Sequence, residues 1–126
     1  DYLARCGTPA VVEDLHHHAC LAVRNLRSGR VVEWQFLQQG QLYEFTPPTR
    51  MVFDSGDPLV EAAIAGIGIV QVMDFAVADA LADGRLVRIL PEWEAAPIGI
   101  FAVYTSRSHL APKVRSFIDH LVEVGV

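Results

Sequence analysis

The stretch D-S-G-D-P-L-V-E-A-A-I-A-G-I-G-I-V, residues 54–70, decides the fold that this sequence predicts. It is typical of a tight turn, a short helix, a second turn and a strand. The apolar residues 51–53 before it have the β-branched and aromatic character of another strand. Asp57 followed by Pro58 predicts a helix start, because aspartate accepts a hydrogen bond from a free amide and proline fits the first helical position. Together these elements predict a compact βαβ unit.

The second half of this stretch predicts how the helix ends and where the next strand begins. The helix is rich in alanine, and such small side chains allow it to approach a sheet closely. Either Gly66 or Gly68 can take the left-handed conformation that ends a helix, and a further strand then begins at Ile69. Ligands of α/β proteins tend to bind beyond the carboxyl ends of strands. The stretch therefore predicts a ligand contact near Asp54, although a strand and a capped helix also occur without any ligand.

Length and composition indicate one globular domain. The chain has 126 residues, of which 52% are hydrophobic and 20% are charged, so it can bury a core and is not a disordered tail. No apolar run approaches the ~20 residues that a membrane-spanning helix needs, and no signal peptide is visible. The sequence opens on Asp1 without an initiator methionine, and we expect it to be a piece of a longer protein.

Charge and cysteine usage argue against two further classes of protein. The formal net charge is −5, and arginine and lysine are scattered without a basic stripe, so the chain alone is not expected to bind nucleic acid. Cys6 and Cys20 are the only cysteines, and they form neither a C-x-x-C pair nor a disulfide framework. We therefore expect two free thiols and a cytoplasmic location.

The rest of the chain alternates between strand and helix patterns. A short helix is predicted within residues 7–18, with Val12 and Leu15 facing inward, and a hairpin is predicted from strands at residues 32–36 and 42–45. The other predicted elements are strands at residues 21–23, 85–90 and 98–104, a helix from an N-cap at Asp74 to Gly84, and a final amphipathic helix at residues 112–123. This order predicts an α/β fold with a mixed sheet flanked by helices.

No pattern of catalytic or metal-binding residues is found in the sequence. His16, His17 and His18 are adjacent, but neighbouring residues on a helix point about 100° apart and cannot share one ion. Gly66 and Gly68 resemble a dinucleotide fingerprint, yet they follow a helix, whereas the fingerprint requires them after a strand. The motifs of serine hydrolases, phosphate-binding loops and zinc proteases do not occur. We therefore predict no catalytic residue, no metal and no cofactor.

Several short motifs, in this order, resemble the effector-binding region of LysR-type bacterial transcriptional regulators. They are Y-L-A-R-C-G-T-P from Tyr2, A-A-I-A-G-I-G-I from Ala62, D-F-A-V-A-D-A-L-A-D-G-R-L-V-R-I-L-P-E-W from Asp74 and F-A-V-Y-T-S-R-S-H-L-A-P-K-V-R-S-F-I-D-H-L-V-E from Phe101. The resemblance covers nearly the whole chain. It implies a lobe like those of type II periplasmic binding proteins. Residues 1–105 would form the second lobe, and residues 106–126 a C-terminal segment and helix that return toward a first lobe.

The same resemblance implies a sensory function without catalysis. In this family a small molecule binds between two lobes and changes how the oligomer sits on promoter DNA. The chain is accordingly expected to bind a small-molecule effector, to belong to a homo-oligomer and to have no membrane contact. Promoter DNA would be reached only through a separate N-terminal helix-turn-helix domain. The implied effector-binding residues lie along the cleft wall in two segments, Phe53, Asp54 and Ser55, and Val72, Met73 and Asp74.

Two departures from the family pattern bear on the chemistry of the ligand. Relatives often carry Asn-Asp where this chain has Asp54-Ser55, and Leu-Pro where it has Val72-Met73. The change at Asp54 matters most, because this position lies at the cleft edge in the family. Asp54 and Asp57 place two carboxylates beside a helix N-terminus that would otherwise attract anions. A neutral or cationic ligand group is therefore expected to face this lobe.

Two other classes of protein have a similar two-lobed fold. One is a solute-binding protein that delivers nutrients to a transporter, which an upstream signal peptide would indicate. The other is an enzyme such as porphobilinogen deaminase, which needs a cofactor-bearing cysteine and arginine-rich walls. Neither Cys6 nor Cys20 has such a setting. A helix-turn-helix about one lobe upstream would distinguish a regulator from both.

Overall fold

A computed structural model of the chain describes residues 1–95 and 111–124. These residues belong to two units, Asp1–Ala95 and Ala96–Val126. The α-helices are α1 (Tyr2–Cys6), α2 (Gly56–Ile64) and α3 (Ala78–Ala82) in the first unit and α4 (Pro112–Val124) in the second. The strands are β1 (Cys20–Val23), β2 (Trp34–Gln38), β3 (Gln41–Phe45) and β4 (Thr49–Phe53), and the 3₁₀ helices are Val12–His17, Asp74–Ala76 and Pro91–Trp93. The strand predicted at residues 98–104 lies outside the described residues.

Parallel segments form the centre of the first unit. β1 pairs in parallel with β4, in a register that places Val23 opposite Phe53. On its other side β1 forms a parallel bridge with the segment at Ile69. There the Leu21 N–H donates to the Ile69 carbonyl, and the Ile69 N–H donates to the Ala19 carbonyl, each over 2.9 Å. β1 is therefore the middle segment, α2 connects the two outer ones, and the predicted βαβ unit is confirmed.

An antiparallel hairpin accounts for the other two strands. β2 and β3 pair with Trp34 opposite Phe45. Gln39 and Gly40 form the connecting turn with φ angles of 50° and 78°, the positive values that a two-residue hairpin turn requires. The predicted hairpin is confirmed, although its first strand begins at Trp34 instead of at residue 32. The shift arises because the Val32 N–H donates to the Val23 carbonyl of β1 over 2.9 Å.

Helix α2 begins two residues earlier than the sequence predicts. Ser55 is its N-cap residue in an extended conformation, so that Asp57 and Pro58 lie within the first turn. β4 ends at Phe53, and the chain turns into the helix at once, because only two residues separate the two elements. Proline is tolerated there because the amides of the first turn have no partner within the helix.

Gly66 and Gly68, which follow α2, have different structural roles. Gly66, with a φ of 75°, takes the left-handed conformation. Its N–H donates to the Ala63 carbonyl over 3.0 Å, and the Ile67 N–H donates to the Ala62 carbonyl over 3.1 Å, which is the Schellman arrangement. A Cβ atom at Gly68 would lie only 2.2 Å from the Ala19 carbonyl oxygen. Gly66 therefore ends the helix, and Gly68 allows the next segment to reach β1.

We predict that Gly68→Ala destabilises the protein. The added methyl group would force β1 and the Ile69 segment apart, and overpacking of this kind costs about 1–3 kcal/mol. Gly56→Ala is the matched control, because a Cβ atom there meets no heavy atom within 4 Å. Urea denaturation should show a lower free energy of unfolding for Gly68→Ala and a nearly unchanged value for Gly56→Ala. Equal stability of the two variants would contradict the assignment.

The single helix predicted from Asp74 to Gly84 is wrong. Asp74–Ala76 is a 3₁₀ helix with Asp74 as its first residue, and α3 spans only Ala78–Ala82. Between them lies Val77, which has a φ of −126° and is buried. Burial of this β-branched side chain, which has a modest helix propensity, outweighs helical continuity at that point. Gly84, with a φ of 74°, follows α3 as predicted.

The strand predicted at residues 85–90 is also wrong. The Leu86 N–H donates to the Ala80 carbonyl over 2.9 Å, which ties the start of this segment to α3. Leu90 is buried, but its φ of 52° is left-handed and cannot continue a strand. Leu90 belongs to the larger core cluster and Ile89 packs against it, whereas Val87 is 66% exposed, so the run is only partly buried and does not pair in a sheet.

The largest buried cluster joins the hairpin to the N-terminal part of the chain. Trp34, Phe36 and Phe45 pack against one another in T-shaped and tilted pairs with ring centroids 6.3 to 6.5 Å apart, so these aromatic rings fill the core. Val12 and Leu15 face inward as predicted. The buried members of the cluster are Tyr2, Val12, Leu15, Cys20, Trp34, Phe36, Phe45, Ile69 and Leu90.

The C-terminal helix α4 agrees with the predicted range 112–123 to within one residue. It carries the expected apolar stripe, in which Phe117 and Val122 are exposed while Val114, Ile118 and Leu121 are half-buried. Among the helices of the described ranges, none combines the length and the apolar character that crossing a bilayer needs.

We predict that the two free cysteines differ in reactivity. Cys6 is exposed, whereas Cys20 is fully buried, and burial raises the pKa of Cys20 to about 11. Because the thiolate is the reactive form, one thiol per chain should react rapidly with Ellman's reagent at about pH 8, and both after denaturation. Cys6→Ser should remove the fast reaction. Rapid labelling of Cys20 in the folded chain would contradict this expectation.

Candidate functional site

The predicted effector-binding residues lie at the carboxyl edge of the parallel segments. Phe53 ends β4, and Val72 follows the Ile69 segment, so both leave the sheet on the side where Val23 ends β1. The side chains of Phe53, Val72 and Val23 pack against one buried cluster, formed by Leu21, Leu59 and Ala62. Tertiary packing thus brings the two predicted segments, residues 53–55 and 72–74, to the same edge.

Arg24 is a further polar residue at this edge, and it is not among the predicted effector-binding residues. Its N–H donates to the Phe53 carbonyl over 2.7 Å, and its Nε lies 3.9 Å from Oδ1 of Asp54. The two side chains are 50% and 73% exposed, so both retain hydrogen-bonding capacity for a ligand. A signal was present in the sequence, because Arg24 is the first residue after the apolar strand C-L-A-V.

The N-terminus of α2 opens beside Asp54. Ser55 caps the helix through its backbone conformation, and within the described part of the chain its side chain makes no capping hydrogen bond. The first amides of a helix carry a partial positive charge that favours anions. Asp57 in the first turn offsets this field. The edge therefore presents amide and guanidinium donors next to carboxylate acceptors.

The second predicted segment continues into a shallow surface depression. Met73 is 49% exposed, and the Asp74 carboxylate accepts a hydrogen bond from the Phe75 N–H over 2.8 Å. The depression has a volume of ≈ 250 Å³ and is lined by Asp74, Phe75, Ala78, Leu81 and Arg88. Asp74 is the predicted residue that takes part in it, while Phe53, Asp54 and Ser55 lie outside its lining.

Two of the three adjacent histidines make separate contacts. The Tyr2 hydroxyl accepts a hydrogen bond from the Ala19 N–H over 2.7 Å and lies 3.1 Å from Nδ1 of His18. The ring of His16 packs on Phe45 with centroids 4.9 Å apart. Within residues 1–95 and 111–124, no group of three His, Cys, Asp or Glu residues is arranged to hold a metal ion.

Comparison of the sequence with known families identifies one match over almost the whole chain. The profile of the LysR substrate binding domain matches residues 1–125. The HTH-type transcriptional regulator CrgA of Neisseria meningitidis serogroup B is 35% identical over 125 residues, which cover 98% of this chain and 40% of CrgA. An uncharacterized HTH-type transcriptional regulator of Haemophilus influenzae is 34% identical over 114 residues, or 90% of this chain and 39% of that protein.

Solved structures agree with this match. The regulatory domain of AphB from Vibrio vulnificus has a TM-score of 0.79 at 31% identity, over 98% of this chain and 60% of that domain. The regulatory domain of CrgA, a LysR-type transcriptional regulator from Neisseria meningitidis, has a TM-score of 0.76 at 34% identity, over 98% and 59%. Such domains have the type II periplasmic-binding-protein α/β fold that the sequence predicts.

The chain spans about 40% of the length of the curated relatives, as the coverage of CrgA illustrates. These relatives are transcriptional regulators, which favours the regulatory interpretation over a transport protein or an enzyme. The chain belongs to the LysR substrate binding domain family.

Proposed function

We propose that this chain is the second lobe and the C-terminal helix of the effector-binding region of a LysR-type transcriptional regulator. Residues 1–105 would form the lobe, and residues 106–126 would return toward a first lobe. The chain accounts for 60% of the AphB regulatory domain and 42% of the full-length AphB of Vibrio cholerae, which supports its being one part of such a region. A regulator of this size leaves room for a first lobe and a DNA-binding domain.

The proposed task of the lobe is to bind a small-molecule effector at its carboxyl edge. The observation that carries this proposal is the convergence of Phe53 and Val72 on one apolar cluster, next to the exposed Arg24–Asp54 pair and the N-terminus of α2. A mostly apolar lining with a few polar groups is typical of small-molecule sites. Ser55, Met73 and Asp74 would complete this wall of the effector cleft, which consists of residues 53–55 and 72–74. A first lobe would cover it.

The polar groups at this edge favour a neutral or cationic ligand group. Asp54 and Asp57 lie beside the α2 N-terminus and offset its attraction for anions. Arg24 neutralises part of the charge on Asp54 and holds its carboxylate from one side. The exposed remainder of that carboxylate can accept hydrogen bonds from an amino, amide or hydroxyl group of the effector.

The regulatory output would be carried by other parts of the protein. The relatives are transcriptional regulators, so the lobe would act by binding and not by catalysis. Promoter DNA would be contacted through an N-terminal helix-turn-helix domain, in a homo-oligomer, and therefore in the cytoplasm where the promoter lies. Several relatives carry "HTH-type" in their names.

We predict that Asp54→Asn weakens binding of amino-bearing effectors. A hydrogen bond to a charged group contributes about 1.5–3 kcal/mol, so affinity should fall tenfold or more by that estimate. The test is calorimetric titration of the full-length regulator with panels of neutral and cationic amino compounds and of dicarboxylates. Asp83→Asn is the matched control, because Asp83 is also exposed and paired with an arginine, Arg85, over 3.1 Å. Tight binding of a dicarboxylate that Asp54→Asn leaves unchanged would contradict the proposed chemistry.

We also predict that the chain alone has no affinity for DNA. Its net charge of −5 without a basic face offers no release of counterions from the phosphate backbone. In gel-shift experiments at low salt, the chain should leave arbitrary duplexes and its own promoter unshifted. The full-length protein, as the positive control, should shift the promoter. Micromolar binding of duplex by the chain alone would contradict the prediction that DNA is bound only through the N-terminal domain.

A further inference from the structure

Gln71 makes a reciprocal pair of hydrogen bonds with the backbone of one distant residue. Its Oε1 accepts from the Gln35 N–H over 2.8 Å, and its Nε2 donates to the Gln35 carbonyl over 2.8 Å. The two residues are 36 positions apart in the sequence. The side-chain amide therefore pairs with β2 as a neighbouring strand would.

The hairpin register explains why Gln35 is available. Gln35 lies opposite Glu44, three pairs before the pair Gln38–Gln41 that closes the turn. Backbone groups of successive residues in an antiparallel pair point alternately toward and away from the partner strand. Those of Gln35 point away from β3, to the opposite edge of β2, where Phe36 also forms an isolated antiparallel bridge with Glu94. A strand edge exposes one donor and one acceptor per such residue, and Gln71 pairs with both groups of Gln35.

The chemistry of this contact requires a side-chain amide. Glutamine presents a donor and an acceptor on the same planar group, whereas a carboxylate only accepts. With a glutamate at this position, one oxygen would still meet the Gln35 N–H, but the other would face the Gln35 carbonyl. Methionine has a similar length and would lose both hydrogen bonds. Nothing in the local sequence marks Gln71, because its partner is defined by the tertiary fold.

The position of Gln71 connects the contact with the proposed effector wall. Ile69, two residues earlier, is hydrogen-bonded to β1, and Val72 follows directly. Within residues 1–95, Gln71 makes the last long-range hydrogen bonds before the 3₁₀ helix Asp74–Ala76. The contact therefore fixes the chain at the point where it leaves the sheet and continues into the proposed effector-binding segment, residues 72–74.

We propose that Gln71 is a positioning residue that holds the wall segment Val72–Asp74 in place by hydrogen-bonding it to the edge of β2 that faces away from β3. The inference rests on the proposed function insofar as this segment is part of the effector site. In this arrangement the hairpin and the wall move as one body, so the side chains of Met73 and Asp74 meet a ligand in a defined geometry.

Hydrogen–deuterium exchange on the full-length protein tests this proposal without any effector, so its failure is distinguishable from failure of the proposed function. The variants are Gln71→Glu and Gln71→Met, with Gln38→Glu and Gln38→Met as matched controls at an exposed glutamine of β2. The amides to follow are Gln35, which Gln71 holds directly, and Ala76 and Val77, whose N–H groups close the 3₁₀ helix of the wall. The Leu21 amide reports on the sheet.

Both Gln71 variants should exchange faster at Ala76 and Val77, and Gln71→Met should also exchange faster at Gln35, because glutamate keeps an acceptor for the Gln35 N–H. The loss of two hydrogen bonds in Gln71→Met predicts acceleration on the order of tenfold, while Leu21 and the midpoint of thermal unfolding stay close to the parent values in both variants. The Gln38 variants should match the parent at every amide. Unchanged exchange at Ala76 and Val77, or equal acceleration at Leu21, would overturn the positioning role.

Discussion

The close approach of the Ile69 segment to β1 is the contact on which the rest of the lobe depends. Two backbone hydrogen bonds of 2.9 Å join these segments, and they form only because Gly68 has no side chain where the Ala19 carbonyl passes. If this contact were lost, α2 would have no second outer strand to return to, and the buried cluster around Leu21 would lose one wall. The order of β4, β1 and the Ile69 segment then sets which residues leave the sheet together.

That order has a direct consequence for function. Parallel segments end at the same edge, so Val23, Phe53 and Val72 converge on one apolar cluster, although about 50 residues of chain lie between the first and the last of them. The polar residues that follow these positions are then neighbours at the surface. Arg24 and Asp54 illustrate this, because the backbone hydrogen bond from Arg24 to Phe53 brings their side chains within 3.9 Å. In the proposed function, this edge would supply one face of the effector cleft.

The hairpin is joined to this framework in two different ways. Its aromatic side chains fill the larger core cluster beside Leu15 and Cys20, which holds it by burial. The Gln35–Gln71 contact adds directional hydrogen bonds at the edge of β2. Burial resists separation of the hairpin but does not by itself prevent small shifts, whereas paired hydrogen bonds define a register. Under the proposed positioning role, the hairpin would fix residues 72–74 without contributing a residue to the effector site.

The sequence by itself determined the features that depend on local chemistry. The βαβ unit, the two-residue hairpin turn, the glycine-ended α2, the inward-facing Val12 and Leu15 and the family membership all follow from short patterns of residues. Only the tertiary structure decided where burial overrides local preference: Val77 interrupts the helix predicted from Asp74, and Leu90 is buried without a strand. It likewise decided the partners of Arg24 and Gln71, because each contacts a residue remote in sequence. Such contacts depend on the order of strands in the sheet, which periodicity and turn signals do not encode.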